Sequence, residues 1–273
     1  MIAQPHGVIT AERGPGPALA AVRSRVALVG LLLALAALGW WWTVGQMRGM
    51  DEGSWTALGT FGWFVGVWIV MMAAMMLPSV APTVALYSRM ARERSPLSPL
   101  LFTVGYLVTW TGAGVAAFAV AAAGSRAAGG VLEWDRAGRW TAGATLVLAA
   151  AYELTPLKEV CLGKCRSPLG FLLGSWRSGR LGALSMGARH GAWCLGCCWA
   201  LMASLFALGI MSVGWMAFVA ALIAGEKLLS WRRVATYGTA ALLFSLGMLV
   251  LAAPELAPGL HVPGPGPGMR MGS

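Results

Sequence analysis

Charge is what this chain has least of: only 11% of its 273 residues are Asp, Glu, Lys or Arg. A soluble domain carries about 25%, so an ordinary water-soluble globule is excluded at the outset. Carboxylates are scarcer than bases, 10 against 20, which leaves a net charge of +10. In so apolar a chain a basic excess fits cytoplasmic loops and anionic headgroups, and nothing calls for nucleic acid as a partner. The five cysteines are an odd number without an extracellular spacing pattern, which disfavours a disulfide framework. No phosphate loop, G-x-S-x-G or Rossmann glycine pattern occurs, so nucleotide and hydrolase chemistry have no anchor and the chain reads as a non-enzyme. No repeat with a period of roughly 20 to 50 residues is visible.

What remains is hydrophobic: 58% of residues, with a mean hydropathy of +0.71. This predicts an all-α fold, a polytopic membrane helical bundle of about seven transmembrane helices, or six if a short one fails to span. Residues 1–22, polar and then rich in Gly, Pro and Ala, read as a disordered tail, and 254–273 as a second one. Between them spans are expected at 26–44, 60–77 (continuing past Pro78 to about Met90), 100–123, 140–157, 191–211, 213–229 and 234–253. Residues 158–189 read as the longest polar connection. With seven spans, one side of the membrane collects 15 of the Lys and Arg residues and the other 5. The positive-inside rule then places the chain in a bacterial inner membrane with its N-terminus cytoplasmic and its C-terminus outside.

One stretch concentrates chemistry. His190, Cys194, Cys197 and Cys198 fall within about 100° of arc on a helix. One face would thus carry an imidazole and three thiols, a donor set suited to Cu(I), Zn(II) or an iron–sulfur centre. A cysteine is also a small hydrophobe that packs in any core, but three within five residues beside a histidine favour a ligand role. The expected topology brings further donors to the same depth: Cys161 and Cys165, one turn apart if helix continues, and Met71, Met72, Met75 and Met76, which form two overlapping Met-x-x-x-Met pairs. Met72, Met75 and Met76 are candidate soft ligands, against the alternative that methionine is a flexible packing residue. Glu153 lies near the end of a predicted span. A carboxylate there needs a partner, and either Arg189 or a metal ion could supply it. Glu226 and Lys227 read as a local pair.

Three ordered motifs carry a resemblance. Met71-Met72-Ala73-Ala74-Met75-Met76-Leu77-Pro78-Ser79, then Tyr152-Glu153-Leu154-Thr155-Pro156 with Cys161 and Cys165, then Cys194-Leu195-Gly196-Cys197-Cys198-Trp199 with Glu226-Lys227, are similar to the signature of a bacterial domain-of-unknown-function family. That family is catalogued as predicted metal-binding integral membrane proteins, and the resemblance covers roughly residues 25–253. It implies a metal site and leaves activity open.

The reading that follows is a soft-metal-binding membrane protein, with copper first and zinc second as the bound ion, acting in transport or in delivery to a metalloprotein or metallochaperone partner. Its metal ligands are expected among Cys194, Cys197, Cys198, His190, Cys161, Cys165, Met72, Met75, Met76 and Glu153. Two other classes compete: a membrane thiol–disulfide oxidoreductase using Cys194 and Cys197, and an assembly subunit without chemistry. Oligomeric state has no signature in the sequence.

Overall fold

The computed structural model describes residues 17–47, 60–91, 97–128, 139–208, 212–229 and 231–253. Among them are nine α-helices and no strand. In chain order they are α1 (Pro17–Met47), α2 (Phe61–Ala91), α3 (Ser98–Ala128), α4 (Arg139–Glu153), α5 (Pro156–Arg166), α6 (Pro168–Ser175), α7 (Gly179–Leu208), α8 (Val213–Leu228) and α9 (Arg232–Ala252). α7 is the hub, packed on α3, α4, α5 and α8, while α2 lies against α1, α3, α6 and α8.

The all-helical expectation holds; the count of seven spans does not. By length and composition four helical segments among the described residues could cross a membrane: Val26–Gln46, Phe61–Ala91, Ser98–Gly124 and Arg233–Ala252. α4 and α8 have 15 and 16 residues, short of the roughly 20 that a hydrocarbon core of about 30 Å requires. Helix α1 begins at Pro17, within the stretch expected as an N-terminal tail. Residues 1–16 and the C-terminal tail lie outside the described residues.

The largest local difference concerns residues 158–189, expected as a polar connection and found as α5, α6 and the first turns of α7. The chain breaks after Glu153 because Pro156 has no N–H for a continuing helix and restricts the residue before it. Leu154 and Thr155 donate to the carbonyls of Ala151 and Tyr152 in a tightened last turn. Helix restarts at once: Thr155 caps it by accepting from the Lys158 backbone N–H, and Pro156 occupies the first turn, where a missing donor costs nothing. The elbow folds α5 back so that it packs on α7. α2, by contrast, runs unbroken through Pro78 and Pro82. Ser79 Oγ donates to the Met76 carbonyl there, at 2.9 Å.

Small residues set the spacing of α3 and α7. A Cβ on Gly105 would strike the Leu184 carbonyl, and one on Gly187 would strike the Phe102 carbonyl. Gly191 is close as well, with the Tyr106 carbonyl 3.0 Å from where its Cβ would sit. Thr109 Oγ1 bridges the same pair by donating to the Ala188 carbonyl at 3.0 Å. Further along α3, Gly114 meets Trp68 of α2, while Gly112 has nothing within 4 Å. The obstacles at Gly105 and Gly187 are backbone atoms, which cannot rotate away. Gly187→Ala should therefore destabilise the protein by about 1–3 kcal/mol, the usual range for overpacking. A Gly112→Ala control should change thermal unfolding little, and equal shifts for the two would contradict this packing.

Candidate metal centre

The site is assembled where α5 and α8 meet α7. Cys194, Cys197 and Cys198 come from α7, and Cys165 from the last turn of α5. The ligand atoms of Cys165, Cys194 and Cys197 all lie within 4.8 Å of one another. Cys197 is the centre of the group. Its Sγ is 3.3 Å from Cys198 Sγ and 3.7 Å from Cys165 Sγ, and it reaches the Cys194 carbonyl at 3.2 Å. Cys194, Cys197 and Cys198 are each 1% exposed, and all five cysteines are free thiols. A metal–thiolate bond of about 2.3 Å places three sulfurs about 4 Å apart around a trigonal ion, close to the separations present.

Cys161 lies outside the three-thiol group and packs against Gly196 of α7. Its Sγ is 2.8 Å from where a Cβ at Gly196 would sit, so a side chain there would push the thiol aside. His190 lies one turn before Cys194, buried in an aromatic cage formed by Phe171, Phe102 and Tyr106, with ring centroids 4.8, 5.9 and 6.0 Å away. Its Nδ1 is buried with no hydrogen-bond partner, which leaves a donor–acceptor position open on that face. His190 is outside the three-thiol group. Met71, Met72, Met75 and Met76 are all buried in the core of α2, and their tie to the site runs through Ser79, whose Oγ donates to the Met76 carbonyl.

That tie is Lys227, which the sequence reading had paired with Glu226. Lys227 Nζ donates to Cys194 Sγ at 3.1 Å and to Ser79 Oγ at 3.2 Å. Tyr106 OH stands 3.0 Å from the same sulfur. Neither Tyr106 nor Ser79 was expected. Lys227 carried the one available signal, a charge inside an apolar run.

Glu153 sits elsewhere. Its partner is Lys158, not Arg189, and Lys158 Nζ also bonds both oxygens of Glu226 at 2.9 and 2.7 Å. The three side chains are at most 2% exposed. This corrects the expected Glu226–Lys227 pair: neighbouring helical residues project about 100° apart, so Glu226 turns to α5 and Lys227 to α7. Arg166 completes the junction by donating to the carbonyls of Glu226 and Leu229 at the end of α8, where a cation also complements the helix dipole.

Fold and site together define an all-helical protein with a buried multi-thiol cluster of metal-binding composition. A family model described as PpoB2, copper chaperone, matches residues 65–250, and the chain belongs to that family. The match spans the methionine motif, all five cysteines and the Glu226–Lys227 segment. No curated protein and no solved structure matches the chain.

Proposed function

We propose that this protein is a membrane-embedded Cu(I) chaperone that holds its cargo on Cys165, Cys194 and Cys197 and passes it to an acceptor metalloprotein. The observation that carries the reading is the three-sulfur group itself. Soft donors at these separations suit an ion that accepts two or three ligands, and the family is one of copper chaperones. Cys198, 3.3 Å from Cys197, offers an exchange ligand. Cys161, His190 and the buried methionines Met72, Met75 and Met76 extend the set of soft donors along α5, α7 and α2, a path for ligand-by-ligand transfer. Glu153 is neutralised by Lys158 and takes no part as a ligand. The apolar helices favour residence in the bacterial inner membrane.

Cu(I) competition against a chromophoric chelator, on the purified full chain in detergent, tests this reading. The wild type should retain about one Cu(I) per chain, with protons released on binding and affinity falling as pH is lowered, because thiols must deprotonate to ligate. The Cys165→Ser/Cys194→Ser/Cys197→Ser variant should bind none under the same conditions. Equal copper retention by both proteins would remove the assignment.

A further inference from the structure

Two lysines sit among the packed helices at this end of the molecule, and they are compensated differently. Lys158 lies between two carboxylates, Glu153 and Glu226. Lys227 pairs with no carboxylate among the described residues; its contacts are Cys194 Sγ and Ser79 Oγ. Lys227 is half-buried, and an ammonium drawn out of water without an anion is costly in proportion to its burial, so its location favours a negative charge beside it. A loaded thiolate site provides one, since Cu(I) on three thiolates carries a net charge of −2.

The position of Lys227 is fixed as well as charged. Ser79 has one hydroxyl proton, and it is committed to the Met76 carbonyl. The oxygen is left as an acceptor for Lys227 Nζ. The ammonium has three donors and no lone pair, so it stands beside a ligand and cannot become one.

From this geometry we propose that Lys227 sets the metal preference of the thiol site, favouring a monovalent soft ion over a divalent one. The inference rests on the reading of Cys165, Cys194 and Cys197 as the Cu(I) site. Coulomb repulsion scales with the product of the charges. An ammonium held 3.1 Å from Cys194 Sγ therefore opposes Zn(II) twice as strongly as Cu(I) in the same place. Its attraction for the thiolates is common to both metals and cancels in the ratio of their affinities. The other charges nearby leave this contrast intact. Lys158 is held by its two carboxylates, and Arg166 is turned to the carbonyls of Glu226 and Leu229.

The experiment is a pair of chelator competitions, one with Cu(I) and one with Zn(II), on detergent-purified wild type, Lys227→Gln, Lys227→Arg and Ser79→Ala. Lys227→Gln should move the Zn(II)-to-Cu(I) affinity ratio towards zinc by about tenfold or more, as expected from losing a unit charge beside the ion. Lys227→Arg, which keeps the charge, should hold the wild-type ratio. A wild type that binds Cu(I) tightly, with an unchanged ratio in Lys227→Gln, overturns the inference. If Lys227→Gln does not accumulate as folded protein, Ser79→Ala decides. Freeing the ammonium should shift the ratio the same way by a smaller factor, and an unchanged ratio again overturns the proposal. A wild type that binds neither metal more tightly than the triple cysteine variant would instead fail the underlying chaperone reading.

Discussion

Lys158→Met should be the most damaging single substitution in the protein, with a cost of about 3–5 kcal/mol, the penalty for removing one partner from a buried ion set. Lys158 is fully buried, and both Glu153 and Glu226 direct oxygens at its ammonium. Methionine fills most of the volume and removes the charge, so two carboxylates are left facing each other without water. Unfolding by denaturant in detergent should show the loss. The triple variant Glu153→Gln/Lys158→Met/Glu226→Gln should recover much of it, because the stranded charges go with the lysine. A cost below about 1 kcal/mol for the single variant, as for an exposed pair, would mean that water reaches the group.

Cys197→Ser should produce the largest change in metal affinity among single substitutions. Cys197 is the sulfur that contacts both Cys165 and Cys198, and it belongs to the three-sulfur group. Loss of an outer-shell partner already weakens metal sites by about 10–100-fold. Loss of this first-contact donor should exceed the upper figure in a Cu(I) competition. Cys161→Ser, by comparison, replaces a thiol outside the group and should leave the affinity close to wild type. If the two substitutions weaken binding equally, the ion is held by a different set of sulfurs.

Much of this site could be read along one helix. The spacing of Cys194, Cys197 and Cys198 follows from helical periodicity alone, and the structure keeps all three buried on α7. The continuation of α2 through Pro78 is likewise a local property. Cys165 was harder to place, because its position depends on the elbow at Leu154-Thr155 and on where α5 lands. Pro156 marks the elbow in the sequence. The landing is fixed by Lys158 reaching Glu226, 68 residues away, and a single sequence holds no trace of that pairing. Tyr106 and Ser79 were invisible for a related reason: one hydroxyl in an apolar run carries no period, and only tertiary packing brings it to a sulfur. Of the seven expected spans, four are long and apolar enough among the described residues. Two of the others are lost because hydropathy marks an apolar run without measuring how much of it is one continuous helix: α4 and α8 are apolar but too short.

Because Cys165 belongs to α5 and its companions to α7, an ion held by all three would be a cross-link between two separately rooted helices. Thermodynamic linkage then runs both ways: whatever seats α5 tightens the grip on the ion, and the ion seats α5 by the same free energy. At a free-ion concentration about 100 times the dissociation constant, occupancy adds about 2.7 kcal/mol to the folded state. Loaded and empty chaperone are therefore two mechanical states of one chain, and an acceptor that loosens the elbow at Pro156 lowers the affinity it must overcome before it offers a ligand of its own.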